Sequence, residues 1–130
     1  MKAITVMSAL AQPTRLAVFS LLARAGEDGM TAGDLAERTS TPANTMSSHL
    51  TILSHAGLAT SRRSGRNIFY RALPDAIRQL TVFLIKDCCD GCAEVCGHLQ
   101  DDLNECQRGR DGRRATASKN ASVKPDPCCP

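Results

Sequence analysis

Residues 41–58, TPANTMSSHLTILSHAGL, decide how the chain is read. Thr41 suits the cap of a helix, where its hydroxyl accepts a free backbone N–H. Pro42 suits the first helical position, where a missing N–H costs nothing. Gly57 suits the left-handed residue that ends a helix. Between these signals Met46, Leu50 and Leu53 recur at i, i+4 and i+7, a spacing that turns one stripe towards a core. The opposite face carries Asn44, Thr45, Ser47, Ser48, His49 and Thr51, all short or uncharged polar groups where solubility alone would favour Lys and Glu. Small donors and acceptors at the start of a helix suit close approach to base edges in a major groove. On this stretch alone, a solvated face over a core helix fits equally well.

The neighbouring segments shift that balance. Upstream, Thr31-Ala-Gly-Asp34 has the form of a capping box, with Asp in place of the usual Glu or Gln, and predicts a short helix to about Arg38 with Leu35 and Ala36 inward. Thr39-Ser40 is a turn, so a short helix, a tight turn and a polar-faced helix follow one another as in a helix-turn-helix, although the turn lacks the common Gly. Before it, Gly26-Glu27-Asp28-Gly29 is a loop. A helix from Pro13 to about Ala25 is apolar on most sides through Leu16, Val18, Phe19, Leu21 and Leu22, which makes it central to the core. A shorter helix to about Leu10 carries Ile4, Met7 and Leu10 on one side.

Downstream the period changes to two. Residues 59–63 and 67–73 read as strands around Ser64-Gly65-Arg66. Arg62, Arg63, Arg66 and Arg71 make this hairpin basic, and a basic hairpin directly after a helix-turn-helix reads as a wing lying along phosphates. Pro74-Asp75 open a last helix with Ile77, Leu80 and Leu84 in one stripe and Val82-Phe83-Leu84-Ile85 apolar all round. That surplus predicts a homodimer through the first and last helices, in preference to a closed monomer core.

The chain has 130 residues and a formal net charge of +3, room for one domain plus a tail and only a mild bias towards anionic partners. No apolar run follows a basic segment at the start, and none approaches the roughly 20 residues that cross a bilayer, so a reducing cytoplasm is the expected compartment. Seven cysteines there do not suit a disulfide framework. Five fall between Cys88 and Cys106, with Cys128 and Cys129 at the end, and such clustering favours ligation or redox chemistry. The expected organisation is a mainly α domain with a small β-hairpin over residues 1–100, a Cys-rich site at 88–96, and a flexible polar tail at 101–130.

Three segments together resemble the ArsR/SmtB family of metal-responsive repressors: residues 9–22 (ALAQPTRLAVFSLL) its opening signature, residues 45–58 its recognition helix, and residues 65–70 (GRNIFY) its wing. The resemblance implies a dimeric winged helix-turn-helix repressor that holds double-stranded, inverted-repeat operator DNA until an inducer ion binds. The DNA-binding residues it points to are Asn44, Thr45, Ser47, Ser48, His49, Arg62, Arg63 and Arg66. The chain also departs from the family. Its best-known arsenic repressors carry Cys-x-Cys at the start of the helix before the recognition helix, whereas residues 30–37 here hold no thiol. Its zinc sensors use Asp and His on the terminal helix, whereas residues 74–87 hold no His. Asp87-Cys88-Cys89-Asp90-Gly91-Cys92-Ala93-Glu94-Val95-Cys96 is instead similar to the pattern of a branch that binds arsenite at the terminal helix.

Trivalent arsenic and antimony are soft and prefer sulfur. Each calls for three thiolates in a pyramid. Neighbouring residues on a helix point about 100° apart, so Cys88 and Cys89 cannot share one ideal face. Gly91 can break the helix and let Cys96 fold back beside that pair, which gives Cys88, Cys89 and Cys96 as the expected ligands of As(III) or Sb(III). Cys92 competes, because an unbroken helix would align Cys88, Cys92 and Cys96. Four thiols would also suit Zn(II) or Cd(II), two would suffice for a methylated arsenical, and Cys89-Asp-Gly-Cys92 has the CxxC spacing of a thiol-based redox sensor. Cys106, Cys128 and Cys129 could close over the ion from the flexible tail or play no part, the second being preferred, and His98 reads as a surface residue. An enzyme is not expected: the CxxC lacks alternating strands and helices, no Cys has Arg six positions later, and there is no glycine-rich phosphate loop.

Overall fold

The computed structural model describes residues 2–88, 90 and 93–116. The chain divides into two units, residues 1–83 and 84–130. In the first unit, helices α1 (Ala3–Leu10) and α2 (Pro13–Ala25) meet at Gln12. The Gln12 side chain accepts the Arg15 backbone N–H (2.8 Å) and caps α2, with Pro13 at its first position. Arg15 in turn donates from Nε to the Ala9 carbonyl (2.6 Å) and from Nη2 to the Ser8 carbonyl (3.3 Å), satisfying oxygens at the end of α1. The inward face of α1 is Val6 and Ala9, whereas Ile4 is 76% exposed. The expected stripe of Ile4, Met7 and Leu10 is thus offset. An eight-residue helix apolar on several sides offers adjacent stripes, and periodicity alone cannot choose between them.

After a 3₁₀ turn at Gly26–Asp28 comes β1 (Met30–Thr31), a short strand that the residue pattern does not announce. It pairs antiparallel with β3 (Asn67–Ala72), Met30 opposite Tyr70, while β2 (Ala59–Ser64) pairs with the other edge of β3 from Ala59↔Ala72 to Ser64↔Asn67. The sheet order is β1-β3-β2, and the hairpin closes through Gly65-Arg66.

Helix α3 (Ala32–Arg38) starts as expected: Thr31 Oγ1 accepts the Asp34 N–H at 3.2 Å. Its end and that of α4 (Ala43–His55) share one motif. In α3 the Thr41 N–H reaches the Ala36 carbonyl (2.9 Å) and Ser40 N–H that of Glu37 (3.2 Å). In α4 Leu58 N–H reaches Leu53 (3.0 Å) and Gly57 N–H reaches Ser54 (3.1 Å). Both are Schellman ends, whose left-handed residue is Gly57 (φ +75°) in one and Ser40 (φ +51°) in the other. A Cβ in that region carries a steric cost that glycine avoids. Ser40→Gly should therefore raise stability by about 0.5–1 kcal/mol, after the larger unfolded-state entropy of Gly is deducted. The check is a melting temperature higher by a few degrees.

The same motif corrects the start of α4. Thr41 is committed to the end of α3, and its hydroxyl donates to the Thr39 carbonyl (3.2 Å), so it does not cap the next helix. Pro42 holds the cap position in extended geometry (ψ 145°) with no side-chain cap bond, and α4 begins at Ala43.

Among the described residues twelve buried side chains make the core, all between Val6 and Leu80. Met46, Leu50 and Leu53 are at most 1% exposed, as their spacing requires, and pack with Val18, Leu22, Leu35 and Leu58. Full burial of each such side chain contributes about 1.5–3 kcal/mol. Helix α5 (Asp75–Phe83) adds Ala76 and Leu80. In its first turn, Arg78 and then Gln79 hydrogen-bond the Asp75 carboxylate and hold its pKa below the ordinary value.

In the second unit, residues Leu84–Cys88 form a π-helical turn, Asp90 is left-handed (φ +49°), and α6 runs Ala93–Thr116. The polar tail expected from residue 101 is therefore helical through Thr116, and residues 117–130, with Cys128 and Cys129, lie outside the described residues. A shortage of apolar residues argues against packing into a core, but Asp, Asn, Glu, Gln and Arg are all compatible with helical backbone.

Candidate nucleic-acid interface

Helix α4 presents Asn44, Thr45, Ser47, Ser48 and Thr51 to solvent, with no acidic residue along its length. Ser47 Oγ donates to the Ala43 carbonyl (3.1 Å), Ser48 Oγ to Asn44 (3.3 Å) and Thr51 Oγ1 to Ser47 (2.9 Å). These hydroxyl protons are turned into the helix, which leaves oxygen lone pairs for an incoming donor. In a major groove the matching donors are the amino groups of adenine and cytosine. Asn44 Oδ1 accepts the Thr45 N–H (2.9 Å), which commits its oxygen and offers its NH2. His49 is half-buried, and its enclosed Nδ1 has no hydrogen-bond partner among the described residues. An enclosed Nδ1 leaves Nε2 as the nitrogen able to meet a phosphate.

The hairpin holds Arg62, Arg63 and Arg66 exposed. Its register sets Arg62 opposite Phe69 and Arg63 opposite Ile68. Successive strand residues point to opposite faces, so Arg62 and Arg63 leave the ribbon on different sides, a division that composition could not show. Arg71 does not join them: its Nη1 pairs with Glu27 Oε2 at 2.6 Å on the 3₁₀ turn. With the two side chains 44% and 90% exposed, that pair contributes about 0–1 kcal/mol, yet it neutralises one of the four hairpin arginines.

Cys96 lies in the first turn of α6, and Cys96 and Cys106 are free, half-buried thiols. Cys88 closes the π-helical turn; its side chain, with Cys89 and Cys92, lies outside the described residues. The unbroken helix that would align Cys88, Cys92 and Cys96 is not formed, because the helical elements stop at Cys88 and resume at Ala93 around left-handed Asp90. His98 is exposed. Among the described residues no three His, Cys, Asp or Glu side chains converge as a metal site. No single described helix is long and apolar enough to cross a membrane. Five large apolar side chains among the described residues of the first unit are exposed: Ile4 on α1, Leu16 on α2, Ile52 on α4, Ile68 on β3 and Val82 on α5.

Residues 10–62 match the family model described as a helix-turn-helix domain. The chain is 38% identical over 79 residues to the HTH-type transcriptional regulator KmtR of Mycobacterium tuberculosis, a match that covers 61% of this chain and 58%, under two-thirds, of that relative. It is 35% identical over 85 residues to the transcriptional repressor SdpR of Bacillus subtilis, covering 62% of this chain and 91% of SdpR. Among solved structures it resembles an ArsR-like transcriptional regulator from Rhodococcus sp. RHA1, with a TM-score of 0.62 and 26% identity over 75% of this chain and 90% of that one. The homodimeric winged helix-turn-helix domain of Mb0332 from Mycobacterium bovis matches with a TM-score of 0.53 and 29% identity over 63% and 74% of the two chains. A third structure, of a possible transcriptional regulator for arsenical resistance, matches with a TM-score of 0.53 and 35% identity over 59% and 77%.

Proposed function

The chain belongs to the ArsR/SmtB-type family of winged helix-turn-helix transcriptional regulators, and from that premise we propose that it is a repressor released from its operator by trivalent arsenic or antimony. The observation that carries the proposal is the thiol-rich segment 87–96, which follows the last helix of the DNA-binding unit and is interrupted at Asp90. A relative of this fold is described as a possible regulator for arsenical resistance, which supports the same choice of inducer.

In this reading a homodimer forms through α1 and α5, where Ile4 and Val82 are exposed. Each protomer lays α4 in a major groove, with Asn44, Thr45, Ser47 and Ser48 towards base edges and His49 towards phosphate. Arg62, Arg63 and Arg66 of each wing follow the backbone. The two half-sites of an inverted repeat lie about 34 Å apart, so a small rotation between protomers misplaces both helices. Cys88, Cys89 and Cys96 are the proposed inducer ligands, with Cys92 the competing third thiol. The break before Ala93 frees Cys96 from the helical phase of Cys88, which is what two adjacent thiols and a distant one require. For release, the inducer must bind the DNA-free form better by a coupling of about 1–3 kcal/mol.

The test starts from an operator duplex selected from random sequence and titrates arsenite, antimonite, Zn(II) and Cd(II) separately under reductant. Arsenite and antimonite are expected to release the duplex. Cys88→Ser and Cys96→Ser should each hold it as tightly as the unaltered protein and raise the releasing arsenite concentration by about tenfold or more, within the coupling stated above. Full release in both variants would place the site elsewhere, and release by peroxide with no response to arsenite would replace metalloid sensing by thiol oxidation.

A further inference from the structure

Helix α6 is polar on most of its surface, yet its apolar residues are not scattered. Cys96, Leu99, Leu103 and Cys106 recur at steps of three, four and three, the a and d spacing of a two-stranded seam. Val95 flanks the stripe at a g position. Cys96, Leu99 and Cys106 are half-buried, whereas Leu103 is 53% and Val95 43% exposed. The helix also contains Gly97, Gly109 and Gly112, each costing about 0.8–1.0 kcal/mol relative to Ala. A polar helix with three glycines is poorly supported by its own propensities and gains stability by packing one face.

We propose that this face is covered by α6 of a second copy, paired in parallel along Cys96, Leu99, Leu103 and Cys106. The inference rests on the dimer in the function proposed above. The stripe is self-complementary, since each layer sets a residue against its own kind. Parallel pairing places Asp102, at a g position, beside Gln107 of the other copy, whereas antiparallel pairing would set Asp102 against itself. Four residues separate Cys88 from Ala93, so α6 starts within about 18 Å of the turn that continues α5. In a dimer built on α5 the two copies of α6 are thus tethered together, at an effective concentration on the order of millimolar. That tether offsets the shortness of the seam, which is below the three or four heptads a free coiled coil needs. The first layer of the seam is Cys96, the thiol also proposed as an inducer ligand, so capture of the inducer and closure of the seam would compete for one side chain.

The test uses full-length protein in which Cys106 is the one cysteine kept, the other six being replaced by Ser. Its rate of disulfide-linked dimer formation in diamide, which takes up the two electrons, is compared with that of a Cys106→Ser variant carrying Asp101→Cys, an outward f position. The seam predicts cross-linking through Cys106 about tenfold faster or more at micromolar protein, as tethering implies, and loss of that advantage on adding Leu103→Asp. Sedimentation of the reduced samples accompanies each rate. A dimer with equal rates overturns the seam alone; a monomer overturns the dimer and the seam with it.

Discussion

Gly29→Ala is expected to remove about 3 kcal/mol or more of the stability of the DNA-binding unit, through backbone strain and clash together. Gly29 has φ +70° and ψ −167°, a region essentially restricted to glycine and worth about 1–3 kcal/mol in strain for other residues. Space is short as well. A Cβ there would lie 2.2 Å from the carbonyl oxygen of Tyr70 and 3.0 Å from its carbon. Both atoms are backbone of β3, the strand against which β1 pairs Met30, so no side-chain rotation relieves the clash. The chain must give up either the β1–β3 pairing or the approach of the 3₁₀ turn to the sheet. Against a total of about 5–15 kcal/mol for a typical domain this is a large fraction. Gly57 is the control: its φ is +75°, but a Cβ there meets nothing within 4 Å. Gly57→Ala should cost only the left-handed penalty, about 1–2 kcal/mol. Urea melts followed by circular dichroism separate the cases, and equal losses at the two glycines would refute the clash.

A different large effect is expected on the wing. Replacing Arg62, Arg63 and Arg66 together by Gln should weaken operator binding by about 100-fold or more near physiological salt and flatten its salt dependence. The logarithmic slope falls by about 0.9 for each phosphate that is no longer neutralised. The strand register adds a sharper expectation. Arg62 and Arg63 leave opposite faces of the hairpin, so they cannot serve the same stretch of backbone equally. Arg62→Gln and Arg63→Gln should therefore differ, one carrying most of the loss. Arg71→Gln should leave the slope unchanged, because Arg71 is paired with Glu27. Anisotropy titrations across a salt series measure all four. Equal slopes for the triple variant and the unaltered protein would remove the wing from the interface.

Much of the first unit was legible because long helices declare their faces. The bounds Pro13–Ala25 follow from Pro13 and the apolar run behind it, and the burial of Met46, Leu50 and Leu53 follows from their spacing. The outward placement of Asn44, Thr45, Ser47 and Ser48 is the same inference turned over. What escaped depends on pairings between distant parts of the chain. Strand β1 is two residues long and has no period of its own; it exists because β3 offers an edge nearly forty residues later. Thr41 carried a true end-of-helix signal, but for the helix before it, and only the bond to Ala36 reveals which. The division of the wing arginines needs the pairing register, and the inward turn of the Ser47, Ser48 and Thr51 hydroxyls needs their rotamers. The helix through Thr116 was missed because composition reports on the capacity to pack more than on backbone conformation.

The position of the core has a consequence for descent. Among the described residues every buried core residue lies between Val6 and Leu80, and those packed against them end at Phe83. Folding of the first unit thus places little demand on the described residues that follow, and substitutions there would escape the selection that guards a hydrophobic interior. If the inducer ligands lie behind α5 as proposed above, one set of ligating side chains could be traded for another there, giving a new stimulus on the same DNA-binding unit. Grafting a foreign C-terminal segment after Phe83 repeats that experiment at the bench.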